Sequence, residues 1–146
     1  MKKLNYTLLI IGLLCIDQIS KNFIKEHYYK LINKDFILIT FEYVRNSGAA
    51  FNLFEGNRLF LSLVSIISSM IIYYFIFIKE TKILDKYGLS FILAGSLGNG
   101  IDRILDGNVI DFIKLKFIEF PVFNIADISI NIGVLILIFG YFKYNK

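Results

Sequence analysis

The 146-residue sequence has one cysteine, Cys15, one histidine, His27, one proline and no tryptophan. A single cysteine excludes an intramolecular disulfide, and together with a single histidine it excludes a Cys/His zinc cage or a His-rich metal site. A serine or cysteine triad would have to rely on His27 alone, so acid–base chemistry falls to carboxylates. One proline leaves no proline-rich linker. Charge is scarce too, at 19% of residues, against about 25% in an ordinary soluble domain. The net charge of +4 comes without a basic cluster interleaved with aromatics, so there is no phosphate-tracking groove and no nucleic-acid partner is expected.

What is present is apolar. The chain is 56% hydrophobic and 16% aromatic, with mean hydropathy +0.63, which excludes disorder and argues against a water-soluble globule. A membrane-spanning helix needs roughly 20 mainly apolar residues. Leu59–Ile78 is an uncharged run of that length between Arg58 and Lys79. Residues 4–20, 87–105 and 125–142 nearly qualify, and each holds one acid near one end: Asp17, Asp102 and Asp127. Charge at the centre of a membrane helix costs on the order of 3 kcal/mol, so such groups face a bundle interior or gather near an interface. The expected fold is an all-α membrane protein, a single integral domain over 1–146. Four transmembrane helices carry a small extracytoplasmic β-sheet built from segments 22–57 and 106–124.

The lysines set the topology. Lys2, Lys3, Lys79, Lys82, Lys86, Lys143 and Lys146 crowd the short pieces on one side, while six basic residues are spread over the two much longer segments on the other. The positive-inside rule then places both termini in the cytoplasm and collects Asp17, Asp102 and Asp127 near the outer face. Phe36–Val44, rich in β-branched and aromatic residues and followed by Arg45-Asn46-Ser47-Gly48, reads as a strand and hairpin. Residues 109–120 alternate Lys114 and Lys116 with apolar neighbours and also read as strand. Residues 22–35 mix aromatics with charges and are expected to rest at the interface. A start of Met1-Lys2-Lys3 and an apolar run ending at Cys15 also resembles a secretory or lipoprotein signal. However, Leu14 is too large for the position before such a cleavage site, so this helix is expected to be retained, with Cys15 packed between helices.

Polar residues concentrate between 94 and 131. Ala94/Gly98 and Gly95/Asn99 have the small-xxx-small spacing that lets membrane helices approach closely. Asn99, Asp102 and Arg103 stand at i, i+3 and i+4, and Asn124, Asp127 and Asn131 make a polar stripe on an apolar helix. Taken alone, Asp102/Arg103 and Asp17/Lys21 read first as structural ion pairs, and the asparagines as interhelical glue. Asp111 and Asp127 have no adjacent base. Two carboxylates brought together cannot both ionise cheaply, so they share a proton. Such a pair hydrolyses peptides without a cofactor or a metal: one member takes a proton from water while the other protonates the carbonyl oxygen.

Five ordered blocks carry a resemblance: Asp17-Gln18-Ile19-Ser20-Lys21, Asn46-Ser47-Gly48-Ala49-Ala50-Phe51, Gly95-Ser96-Leu97-Gly98-Asn99-Gly100-Ile101-Asp102-Arg103, Val109-Ile110-Asp111-Phe112 and Phe123-Asn124-Ile125-Ala126-Asp127. In order and spacing the sequence resembles the bacterial lipoprotein signal peptidases (signal peptidase II) from about residue 17 to 133. The resemblance implies an intramembrane aspartic endopeptidase of the bacterial cytoplasmic membrane that cuts diacylglyceryl-modified prolipoproteins just before the lipidated cysteine. It implies Asp111 and Asp127 as catalytic residues. Asp17, Lys21, Asn46, Gly48, Asn99, Asp102, Arg103, Asn124 and Ala126 are implied to bind substrate or support the site. Its partners would be the diacylated prolipoprotein and membrane lipid, and a site formed within one chain requires only a monomer. One departure is visible: Ala94 stands where many members have the first glycine of a pair. A small transporter would spread its acids through the bilayer and, in common carriers, show inverted repeats; neither is present. A passive scaffold would tolerate loss of the aspartates.

Overall fold

The computed structural model describes residues 2–31, 36–49 and 53–144. Its elements run α1 (Lys2–Leu31), β1 (Ile39–Asn46), α2 (Arg58–Phe77), α3 (Ile83–Leu105), β2 (Val109–Leu115) and α4 (Ile125–Tyr144). Three of the helices, α1, α2 and α4, are long and apolar enough to cross a membrane. The fourth, α3, falls short of that apolarity, and it packs against all three others. Nine of its 23 residues are buried, among them Ser90, Asn99 and Asp102. Protein rather than lipid surrounds those groups, and this lets a helix of low hydropathy sit inside a membrane protein. Lipid takes the opposite faces: Leu8, Ile19, Ile67, Met70, Leu135 and Phe139 are all exposed. Cys15 is exposed on α1 as well, so it points away from the helix contacts expected of it.

Small residues set the closest helix contact. A Cβ added at Gly95 would lie 2.3 Å from the carbonyl oxygen of Ala126, and one at Gly88 would lie 2.9 Å from that of Gly133. Gly88 and Gly95 on α3, seven residues apart, therefore oppose Gly133 and Ala126 on α4, also seven apart. The sequence reading found the four-residue spacing and missed this heptad. Gly98 faces α1 instead, where an added Cβ would meet the Asp17 carboxylate at 2.5 Å. Ala94, the departure noted above, turns to a separate core with Tyr6, Ile10, Ile76 and Leu93, where its methyl is accommodated.

The sheet differs from the local hairpin anticipated. β1 pairs antiparallel with β2, which lies some 70 residues further along the chain, in a register from Ile39↔Leu115 to Asn46↔Val109 with an irregularity between Phe41 and Val44. A two-stranded ribbon is marginal in water alone. Here Ile110, Phe112 and Ile113 of β2 bury against Ile24 of α1, with Leu31 and Phe41 packed around them. That contact also explains why α1 continues to Leu31 rather than breaking near residue 21 into an interfacial segment: its last turns carry an apolar side that the sheet covers. Residues 32–35 of the expected interfacial segment lie outside the described residues.

Arg58, in the first turn of α2, closes the far end of α3. Its Nε donates to the Arg103 carbonyl at 2.9 Å, and its Nη2 donates to the carbonyls of Ile104 and Leu105. These are carbonyls that a helix C-terminus leaves without partners, and a cation there also meets the negative end of the helix dipole. Arg58→Ala is expected to cost about 1–2 kcal/mol, since these are charged but solvent-exposed hydrogen bonds. The check is the midpoint of thermal unfolding in detergent, which should fall while the folded protein keeps its helical circular dichroism.

Candidate active site

Asp111 lies in the middle of β2, the short strand that follows α3, and is 2% exposed. Its Oδ2 accepts from Asn46 Nδ2 at 2.8 Å and its Oδ1 from Asn124 Nδ2 at 2.6 Å. Asn46 ends β1, and its own Oδ1 accepts the Gly48 amide at 2.8 Å, an Asx-type turn that aims its NH2 at Asp111. Asp127 lies in the first turn of α4. Asn124 Oδ1 accepts the Asp127 amide at 3.0 Å while Asp127 Oδ2 accepts the Asn124 amide at 3.1 Å. This is a reciprocal capping box, with Asn124 as N-cap and Asp127 as the third helical residue. The remaining oxygen, Asp127 Oδ1, accepts from Asn99 Nδ2 at 2.8 Å. Asn124 is fully buried and binds both carboxylates, Asp111 through its side-chain amide and Asp127 through its backbone N–H, so the two acids are held by one shared residue.

Behind this pair stands a buried ionic cluster. Lys21 lies between Asp17 at 2.8 Å and Asp102 at 2.7 Å. Asp102 thus pairs across to α1, not with its sequence neighbour Arg103. Asp17 Oδ1 also accepts the Ala126 amide at 2.8 Å, which ties α1 to the start of α4. Gln18 Nε2 contacts Asp17, Asp102 and the Gly98 carbonyl. Although Gln18 lies inside a quoted block, it was not among the expected site residues. A polar residue next to Asp17 and three residues before Lys21 on the same helix was the available signal.

Arg103 turns the other way. Its Nη2 donates to the Gly48 carbonyl at 2.8 Å, while its buried Nε has no partner among the described residues. Asn46, Asn99, Arg103, Asp111 and Asp127 line a cavity of about 880 Å³. The cavity runs between α2, α3 and α4 past Val64, Ser65, Ser68, Ile72, Ile92, Ser96 and Ile130. Ser96 is itself bonded to Ser68 and Ser69 across the α2–α3 contact, at 3.1 and 3.2 Å. None of these serines was expected from the sequence, because in an apolar run a serine reads as helix glue. The site residues therefore separate into groups. Five of them reach the cavity. Asp17, Lys21, Asp102 and Asn124 support them from behind, and Gly48 and Ala126 contribute backbone groups. Ala50 and Phe51 of the second block lie outside the described residues.

Burial pushes the Asp111 carboxyl up to about 6, opposed by the donors Asn46 and Asn124 and reinforced by the nearby Asp127 charge. A carboxyl raised in this way binds its proton more tightly folded than unfolded, from the ordinary value near 3.8 up to about 6. Its contribution to stability is present below that window and is lost as pH rises through it.

An amide-bound carboxylate pair at the head of a groove between apolar helices defines a class, that of the membrane-embedded enzymes. The family profile described as signal peptidase (SPase) II matches residues 9–143. The chain is 34% identical over 140 residues to the lipoprotein signal peptidase of Lactiplantibacillus plantarum, covering 94% of each. It is 41% identical over 138 residues to that of Gloeothece citriformis, covering 91% of this chain and 85% of the relative. A solved bacterial membrane enzyme superposes with a TM-score of 0.87 at 33% identity, over 97% of this chain and 90% of that one. A second superposes with a TM-score of 0.79 at 32% identity, over 94% of this chain and 92% of that one. The chain belongs to the signal peptidase II family and is a protease.

Proposed function

We propose that this protease removes the signal peptide from diacylglyceryl-modified prolipoproteins, cutting before the lipidated cysteine, and that Asp111 and Asp127 perform the hydrolysis. The observation that carries this reading is the sharing of Asn124 by two carboxylates that both face the groove. Asp127, at a helix N-terminus that favours negative charge, takes a proton from the attacking water. Asp111, buried among apolar strand residues, carries the proton that passes to the carbonyl oxygen. When the tetrahedral adduct collapses, the Asp127 proton goes to the leaving amine and a hydroxyl proton of the adduct returns to Asp111, which restores the starting pair. Arg103 and Asn99 are placed to hold the peptide backbone. The apolar walls of the groove suit a signal-peptide helix end, and the acyl chains of the substrate stay in lipid. The lysine distribution supports a site near the outer face of the cytoplasmic membrane with both termini inside. A site made by one chain supports a monomer.

Purified protein in lipid nanodiscs is expected to release the signal peptide from a diacylated prolipoprotein, and to act at least about tenfold more slowly on the same precursor without the lipid. Equal rates would remove the substrate assignment. The plot of kcat/KM against pH is expected to be bell-shaped, because one member of the pair must be ionised and the other protonated. With Asp111 as the proton carrier, its alkaline limb falls with an apparent pKa of about 6. A flat profile from pH 4 to 8 would contradict the shared-proton reading.

A further inference from the structure

Lys21 takes no part in the chemistry above, yet all three of its N–H bonds are spent. The ammonium reaches Asp17 at 2.8 Å, Asp102 at 2.7 Å and Asn99 Oδ1 at 3.0 Å, and the side chain is 3% exposed. A lysine ammonium donates and cannot accept, so only the oxygen end of Asn99 can face it. Asn124 Nδ2 donates to that same oxygen at 3.1 Å. The NH2 of Asn99 is thereby forced to the other side, where it meets Asp127 Oδ1 at 2.8 Å. With the ammonium absent, only the Asn124 amide still holds that orientation, and an inverted Asn99 amide would set oxygen against carboxylate oxygen and push Asp127 out of place.

We propose that Lys21 is a positioning residue for the carboxylate pair: it fixes which end of the Asn99 amide faces Asp127, and so where Asp127 sits, without touching substrate. This rests on the reading of Asp127 as a member of the hydrolytic pair. The competing role is plain neutralisation of Asp17 and Asp102, which requires no coupling to Asn99. The two roles differ in what happens when Asn99 is gone.

Lys21→Met keeps the length of the stem and removes the ammonium. In lipid nanodiscs with the diacylated precursor, it is expected to lower kcat by about 10- to 100-fold, the scale of a misplaced reacting group, with KM within about twofold of wild type. In an Asn99→Ala background the same change is expected to alter kcat by less than about twofold, because the amide it acts through is missing. Losses that multiply in the double variant overturn the proposal, as does a wild-type kcat for Lys21→Met. Since Lys21→Met strands two buried carboxylates, the charge-matched pair Lys21→Met/Asp102→Asn is measured beside it. A persistent loss of tenfold or more in a variant with wild-type helical circular dichroism supports the positioning role. Recovery of wild-type kcat shows charge neutralisation alone and overturns it, and failure of the charge-matched pair to fold makes Lys21 a residue of the fold and overturns it too. The hydrolytic reading fails separately, through an Asp127→Asn variant that still cleaves.

Discussion

Asp127→Asn and Asp111→Asn are each expected to lower kcat on the order of 10³-fold or more, since each removes one partner of a coupled acid–base pair whose members contribute about 10²- to 10⁴-fold apiece. The shapes of the side chains barely change, so the loss must come from chemistry. All four carboxylate oxygens accept an N–H from Asn46, Asn99 or Asn124. An asparagine in either position can accept at only one end, and its own NH2 meets a donor at the other. That mismatch costs about 1–3 kcal/mol, enough to lower the melting temperature but not to unfold the bundle. For Asp111→Asn there is a second signature. The contribution of Asp111 to stability is lost as pH rises from about 4 to about 6, because it gives up a proton that it binds more tightly folded than unfolded. An asparagine there removes this slope, so thermal melts at pH 4 and pH 7 draw closer together. Substantial turnover by either variant would remove the aspartate pair as the catalytic machinery.

Gly95→Ala is expected to be the most damaging substitution of a residue with no chemistry of its own. The new methyl would stand 2.3 Å from the Ala126 carbonyl oxygen and 2.7 Å from Ile130 Cγ1. The nearer atom is backbone and cannot rotate away, so α3 and α4 must separate. Overpacking of this kind costs about 1–3 kcal/mol or more. The hydrogen bond from Asn99 to Asp127 crosses this same contact, one helical turn along α3. A shift of about 1 Å there is worth roughly 10²-fold in rate. Gly95→Ala should therefore lose activity beyond its loss of stability, read as kcat at a temperature where the variant is fully folded. Gly12→Ala is the control: nothing lies within 4 Å of its added Cβ, so it should leave kcat unchanged and, as an alanine in a helix interior, should not lower stability.

Much of this architecture can be read along the chain because membrane helices are dictated by local composition. The uncharged run 59–78 corresponds to α2 at Arg58–Phe77, and 125–142 to α4 at Ile125–Tyr144. Polar groups within apolar segments are costly enough that each one signals a task, which is why Asp17, Asn99, Asp102, Asp111, Asn124 and Asp127 stood out before any contact was known. Pairing was less legible. Asp102 next to Arg103 suggested a local ion pair, yet a helix turns neighbours about 100° apart, and Asp102 went to Lys21 while Arg103 went to the Gly48 carbonyl.

The sequence by itself determined the class of protein, the apolar helices, the scarcity of thiol and imidazole groups, and the presence of carboxylates among the apolar segments, because each follows from residue types and short spacings. Only the tertiary structure decided that β1 pairs with a strand some 70 residues away, that α1 runs on to Leu31 under that sheet, and that Gly88 and Gly95 seat against Gly133 and Ala126. It also decided that one asparagine, Asn124, binds both aspartates. These depend on which surfaces meet once the helices are assembled, and no local run of residues encodes that meeting.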